Sequence, residues 1–183
     1  MNRLREERSR MPLVVIAVLV VIFVAVGIYQ YVSRPKPQAG GALDSAFAVA
    51  LPGDRVLASI SLSFRNIGKG PFWIREIKAR LTGPDGKEFD DAAASPVDFE
   101  RYFQAFPDLK QHSIEPLKVE TKVEENQQVQ GSIIVAFPVT LESFRNRKSL
   151  AVLIYPYTSN PFAAATAPPG SEEVVVLKES ENK

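Results

Sequence analysis

The chain has 183 residues, no cysteine, one histidine and a formal net charge of +1 at pH 7. Hydrophobic residues make up 45% of it and charged residues 23%, a balance that excludes an intrinsically disordered chain. Without cysteine it has no disulfide, thiolate metal site or thiol nucleophile. It also lacks the basic excess of a nucleic-acid-binding protein, so we expect neither nucleic acid nor a metal ion as a partner.

The first hydrophobic segment, residues 12–31, holds no charged residue and is predicted to be a single membrane-spanning helix. Its twenty residues, at a rise of about 1.5 Å each, would span about 30 Å, the thickness of one hydrocarbon core. The preceding tail, residues 1–11, contains four arginines and two glutamates, which favours a cytoplasmic N-terminus. The side chains expected at the two membrane interfaces are Arg8, Arg10, Tyr29, Tyr31, Arg34 and Lys36.

This segment has an alternative interpretation, a secretory signal peptide that is cleaved from the mature protein. A signal peptide normally has a hydrophobic core of about 7–15 residues followed by a small-residue cleavage site. The apolar run here is longer, and residues 34–37 (RPKP) follow it. We therefore expect an uncleaved anchor in the inner (cytoplasmic) membrane, with the C-terminal domain in the periplasm or outside the cell.

Residues 32–45, rich in proline, glycine and alanine, are predicted to form a linker between the membrane and a folded domain. The domain is predicted to span residues 46–178, with a short tail at residues 179–183. Alternating apolar and polar residues predict strands at residues 47–51, 56–65, 72–82, 87–89, 117–124, 129–137, 150–157 and 173–178. We expect the serine side of the second strand to face solvent, and a bulge in the third at Arg75 and Glu76.

One helix is predicted between these strands. Ser95 is placed as its N-cap and Pro96 as its first residue, and Pro107 ends it. Four aromatic residues, spaced i, i+3, i+4 and i+7, form one stripe along it: Phe99, Tyr102, Phe103 and Phe106. Three interpretations of this stripe stay open. It covers an open end of the domain near Phe72 and Trp73, it docks another envelope protein, or it forms an aromatic cage for a small ligand.

Short turns connect the predicted strands, and no crossover helix of the length that a parallel sheet needs is present. The sequence therefore predicts an all-β fold, an immunoglobulin-like antiparallel β-sandwich with one short inserted helix, preceded by a single N-terminal transmembrane helix. The chain lacks the Cys-Trp-Cys arrangement of antibody-type domains.

The polar residues do not suggest catalysis. His112 is the only histidine and lies in a polar loop without a neighbouring nucleophile motif. The carboxylates Asp85, Glu88, Asp90 and Asp91 are clustered but lack the spacing of a calcium-binding loop, and a solvated turn is the alternative. We expect a protein that is not an enzyme and needs no cofactor. A deep polar cleft around either group would instead favour an enzyme or enzyme subunit.

Three segments carry a family resemblance. They are residues 63–66 (SFRN) at a strand end, residues 82–89 (TGPDGKEF) in a hairpin, and residues 131–138 (GSIIVAFP) in a strand. Over residues 55–157 the chain resembles small bacterial extracytoplasmic immunoglobulin-like domains of unknown function, anchored by one membrane helix or a lipid. Residues 124–127 replace the family's usual Pro-Gly turn, and the aromatic helix is an addition. The resemblance implies a sandwich, an envelope location and a binding or assembly role, with no functional residues to carry over.

Together these features predict a single-pass, membrane-anchored, extracytoplasmic binding or scaffolding protein of the bacterial cell envelope. It would be non-catalytic and act through protein–protein contacts, with the lipid bilayer and an envelope protein as partners. The candidate contact regions are residues 99–106 and the loop at residues 158–170. The alternatives are a secreted or anchored ligand-binding module, or an accessory subunit of an envelope enzyme or transporter complex.

Overall fold

A computed structural model describes residues 15–26, 39–157 and 174–179 of the chain, which divides into two compact units, Met1–Lys36 and Pro37–Lys183. In the first unit, residues 15–26 form helix α1, and all of its side chains are exposed. Within the described residues, no helix is both long enough and apolar enough to cross a membrane. The ends of the predicted membrane segment, its six predicted interface residues and the loop at residues 158–170 lie outside the described residues.

The second unit is a sandwich of two antiparallel sheets. Its strands, in chain order, are β1 (Ala39–Leu51), β2 (Arg55–Asn66), β3 (Phe72–Thr82), β4 (Glu88–Ala92), β5 (Lys122–Val123), β6 (Gln128–Phe137), β7 (Ser149–Pro156) and β8 (Val175–Lys178). One sheet has the order β1-β2-β6, and the other has the order β4-β3-β7-β8, with β5 also paired to β3. The predicted all-β sandwich is confirmed at this level.

Alternation along the strands places the main core between the two sheets. The inward side chains of β2 and β3 are buried, and those of β6 and β7 complete the same cluster. Strand β3 has the predicted bounds, and its register against β7 shifts between Ile74 and Glu76, as the break in its alternation predicts. Residues 83–86 form the predicted turn, in which Gly86 adopts φ 87° and the Gly83 amide donates to the carbonyl of Lys87 at 2.8 Å.

Two strand predictions need correction. Strand β1 begins at Ala39, so residues 39–45 of the predicted linker belong to the sheet. The predicted strand at residues 117–124 is reduced to the two residues of β5. The preceding chain crosses between the sheets, because the Leu117 amide donates to Ser132 of β6 and the Glu120 amide donates to Ile74 of β3. Glu120 has φ 62°, which an extended strand does not allow.

The inserted helical segment is longer than the single helix that was predicted. A 3-10 turn (Pro96–Asp98) leads into α2 (Phe99–Ala105), and α3 (Pro107–Gln111) follows directly. Pro107 ends α2, as predicted, and also begins α3, because a first helical residue needs no amide hydrogen. A further helix, α4 (Leu141–Arg145), lies between β6 and β7, where Thr140 Oγ1 caps it by accepting from the Ser143 amide at 3.2 Å.

Helices α2 and α3 cover the outer face of the three-stranded sheet and add a third layer there. Phe99 and Leu109 pack against Leu57 of β2 and Ile134 of β6 in a second buried cluster. Ser59 and Ser61 of β2 are therefore buried, and the prediction that they face solvent is wrong; farther along the same face Ser63 is half-buried and Arg65 is exposed. The interpretation that the stripe covers an open end near Phe72 and Trp73 is also wrong, since it packs on a sheet face.

The buried serines of β2 are satisfied by partners in the helical layer and in β6. Ser59 Oγ lies 2.7 Å from Ser113 Oγ, and Ser61 Oγ lies 2.8 Å from Ser132 Oγ. Ser132 Oγ also accepts a hydrogen bond from the Ile114 amide at 2.8 Å. These bonds remove the desolvation penalty that would otherwise keep serine on a solvated face.

Candidate interaction surface

The four aromatic residues of the predicted stripe lie on one side of α2 and its end, as their spacing predicts. Phe99 is only 3% exposed, and its ring meets that of Phe103 edge to face with centroids 5.7 Å apart. Tyr102, Phe103 and Phe106 are half-buried against the same cluster. The stripe therefore serves first as packing for the third layer, and its outer rim stays accessible. Its predicted role in docking a partner stays a prediction.

Strand β1 extends this accessible apolar rim. Phe47, Val49 and Leu51 are half-buried and belong to the same cluster as the three half-buried aromatics of the helical segment. We call the six side chains together the β1–α2 surface: Phe47, Val49, Leu51, Tyr102, Phe103 and Phe106. Of this surface, the sequence predicts only the helical half.

The backbone of β1 is a second part of this region. In the sheet order β1 lies at an edge, with β2 as its strand partner. Among the described residues, its one bridge on the other side joins Leu43 to Glu179. Edge strands commonly prevent further pairing by carrying charged residues or proline. Residues 45–51 (SAFAVAL) contain neither. In the sequence, this uncharged run beside the predicted linker is the feature that indicates an unprotected strand edge.

An open groove of about 470 Å³ lies beside β1 and the end of α3. The ring of His112 stacks on Phe47 with centroids 3.9 Å apart and an interplanar angle of 17°. The neighbouring Ser113 hydroxyl donates to the carbonyl of Leu109 at 2.6 Å and bonds Ser59, so it is engaged within the fold. The groove is lined mainly by polar side chains, and His112 beside it is exposed.

The clustered carboxylates do not form one site. Glu88 and Asp90 both pair with Arg80, Asp90 through two hydrogen bonds of 2.7 Å, whereas Asp85 accepts from the Lys87 amide at 3.1 Å. Asp91 Oδ2 accepts from the Ala136 amide at 2.8 Å and so joins β4 to β6 across the edge of the sandwich. In the described parts of the chain, no three histidine, aspartate or glutamate side chains converge as a metal site would require.

The Arg80–Asp90 pair gives a testable pH dependence. Hydrogen bonds from Arg80 hold the pKa of the Asp90 carboxyl below its usual value, so the pair stabilises the fold above about pH 4 and loses this contribution as the pH falls. Both side chains are about two-fifths exposed (42% each), so we expect Asp90→Asn to cost only about 0.5 kcal/mol at pH 7. Urea denaturation at pH 7 and pH 3 should show this difference shrinking at the lower pH. An equal cost at both values would contradict the assignment.

No family model matches the sequence, and no curated protein matches it. Two solved structures from Bacillus subtilis show a weak similarity to this chain. The first, described as a "putative lipoprotein (ycdA)", has a TM-score of 0.44 and 10% sequence identity, with 81% of this chain covered and 40% of that chain. The second, the yjhA protein, has a TM-score of 0.44 and 9% identity, with 80% of this chain covered and 94% of that chain. The chain thus spans less than half the length of the first.

Proposed function

We propose that the protein is a single-pass, membrane-anchored scaffolding or binding protein of the bacterial cell envelope, with an extracytoplasmic immunoglobulin-like domain that binds another protein. The observation that carries this proposal is the combination of an uncharged edge at residues 45–51 with the half-buried apolar β1–α2 surface beside it. The proposed function is non-catalytic binding.

The proposed anchor is a membrane-spanning helix at residues 12–31 in the inner membrane. It is supported by the character of α1, in which twelve consecutive apolar residues expose their side chains. Each of these side chains would gain free energy in a hydrocarbon environment. The arginines of the N-terminal tail support a cytoplasmic N-terminus, and with it a domain on the other side of the membrane.

The proposed immunoglobulin-like topology is supported by the strand order. The sheets β1-β2-β6 and β4-β3-β7-β8 follow the order A-B-E and C′-C-F-G of that fold. The inserted helices stand between β4 and β6, where the fourth strand of the first sheet would otherwise occur. That leaves β6 at an edge of the three-stranded sheet, as β1 is at the other edge, and places helices over the face instead of a further strand.

Binding is proposed to occur by strand addition. An extended segment of the partner would pair its main chain with residues 45–51, which supplies affinity without sequence specificity. Its alternate side chains would lie over Phe47, Val49 and Leu51, and the aromatic rims of Tyr102 and Phe103 would form the apolar centre of the contact. Selectivity would come from these side-chain contacts.

Photocrosslinking tests the proposal in intact membranes. A photoreactive residue at Val49 is expected to capture a defined partner, whereas one at Val176, an exposed valine on edge strand β8 of the other sheet, is not. Ala50→Lys places a charge on the exposed end of the proposed edge and should reduce capture from position 49 by about tenfold or more, the equivalent of 1.4 kcal/mol. Val176→Lys is the matched control and should leave capture unchanged.

The thermal midpoint of each variant separates lost binding from lost folding. Equal capture at positions 49 and 176, or undiminished capture by a folded Ala50→Lys protein, would overturn the proposed surface. Recovery of no partner from either position would overturn the protein-binding function itself.

A further inference from the structure

One end of the domain combines an exposed apolar loop with the point at which the chain enters the sandwich. Ala39 pairs with Asn66 there, and the next residue in the loop, Ile67, is 59% exposed. Trp73, 42% exposed, lies at the start of β3 at the same end. We propose that this proximal end, defined by Ile67, Lys69 and Trp73, rests on the headgroup region of the bilayer. The inference rests on the proposed membrane anchor.

Chain length limits how far this end can lie from a membrane. Seven residues separate residue 31, where the predicted membrane segment ends, from Ala39, where β1 begins. At no more than about 3.3–3.6 Å per residue they reach about 25 Å when fully extended. Strand β1 has 13 residues and at about 3.3 Å each is about 40 Å long, so its far end lies farther from its start than the tether can reach. On the proposed anchor, the tether thus keeps the proximal end within reach of the bilayer.

The loop that presents Ile67 is fixed from inside. The buried Asn66 side chain accepts from the Gly68 amide at 2.9 Å and donates to the carbonyls of Gly70 and Val123 at 2.9 and 3.2 Å. Ile67 lies near Gly40 at the start of β1, and more than half of its side chain is exposed. An isoleucine held in solvent by a fixed loop adds no burial free energy to the core. At a bilayer surface the same side chain would be buried, and because the loop is already ordered, no further conformational entropy would be lost.

The aromatic and apolar side chains of this end suit a headgroup layer. Residues 65–75 contain three basic residues and no acidic one, but the adjacent turn adds two acids: Glu125 accepts from the Gly70 amide at 3.4 Å and Glu124 pairs with Lys122 at 2.6 Å. The exposed Ile67 and Trp73 therefore carry the contact, and the exposed Lys69 adds attraction to an anionic leaflet. The ammonium group of Lys122 lies 5.4 Å from the centre of the Trp73 ring, so an apolar ring and a cation stand side by side. Tryptophan is enriched at membrane–water interfaces for this amphipathic character.

Trp73 makes the inference directly measurable, because it is the only tryptophan in the chain. The full chain would be reconstituted into vesicles of phosphatidylethanolamine and phosphatidylglycerol, with and without lipids brominated near the headgroup. Bromine quenches tryptophan only at contact range, so we expect a loss of Trp73 emission in the brominated vesicles. The double variant Ile67→Ser, Lys69→Glu should largely restore that emission. Ile114→Ser, at a comparably exposed isoleucine (48%) elsewhere in the domain, should leave the quenching as it is.

Flotation of the same vesicles reports the anchor separately. Protein that floats but shows equal Trp73 emission with and without bromine would overturn the inference and leave the proposed function intact. Quenching that the double variant does not change would overturn the role of Ile67 and Lys69. Protein that does not float would overturn the anchor, and the inference with it.

Discussion

Replacing Phe99 with alanine is expected to lower the free energy of unfolding by about 3–5 kcal/mol, the range found when a buried phenylalanine is truncated in a packed core. Phe99 lies in the second cluster, between α2 and the outer face of the three-stranded sheet, where Leu57, Leu109 and Ile134 surround it. Truncation would remove its transfer free energy and leave a cavity that relaxation of the surrounding structure closes only in part.

Urea denaturation followed by circular dichroism measures this effect. The control is Val97→Ala, two residues earlier in the same segment, where the side chain is 85% exposed and the change should stay within about 0.5 kcal/mol. A loss below about 1 kcal/mol for Phe99→Ala would show that α2 is not packed as part of the core. The β1–α2 surface would then lack the support on which the proposed binding depends.

Local periodicity was enough to predict several elements because their physical causes are local. In β3 the inward residues change phase between Ile74 and Ile77, and the register against β7 shifts at that place. In α2 the spacing of the four aromatics indicates a helix with one apolar face, and Pro96 and Pro107 mark its limits. The identity of the surface under that face could not be predicted, because it depends on how distant strands order themselves.

The serines of β2 show where pattern-based reasoning fails. A row of alternating serines ordinarily indicates a solvated face, yet Ser59 and Ser61 are buried with hydroxyl partners 54 and 71 positions away in the sequence. Such partners exist only once the chain is folded. Burial of a small hydroxyl is inexpensive when it is paired, so the polarity of a face does not by itself define its exposure.

The glycines at the start of β1 resemble a linker in the sequence for a related reason. Residues 39–41 suggested a flexible tether, but Gly41 lies so close to β2 that a Cβ there would be 2.2 Å from the Ser63 carbonyl oxygen. Glycine is needed at this position for a close approach of two strands, not for flexibility. Recognising this would have placed the start of β1, and with it the accessible edge of the sheet.

Asn66 explains part of the family resemblance in physical terms. The strand end at residues 63–66, followed by glycine two positions later, places a buried amide where it can accept from the Gly68 amide while donating to two carbonyls. Asparagine supplies this combination of acceptor and donors, and aspartate does not. The motif is structural, in that it fixes the loop between the two sheets.

Asn66→Ala is accordingly expected to destabilise the domain by about 2–3 kcal/mol, because it leaves groups at a buried loop without partners. Gln128→Ala, at an exposed residue beside the same loop, is the control and should change stability by no more than about 0.5 kcal/mol. Urea denaturation at pH 7 measures both. Equal stability of Asn66→Ala and the wild type would show that the loop holding Ile67 is fixed by other contacts.

Asn66→Asp sharpens this prediction through its pH dependence. An ionised carboxylate at this site would face the carbonyl oxygens of Gly70 and Val123, so burial and repulsion should raise its pKa in the folded state. A raised folded pKa means that stability is retained below the ordinary carboxyl pKa of about 3.9 and is lost as the pH rises through the folded value. The variant should thus be less stable than Asn66→Ala at pH 7 and recover towards pH 4, where its protonated carboxyl can donate one of the missing bonds. A pH-independent difference between the two variants would mean that the amide of Asn66 is not the donor that closes this loop.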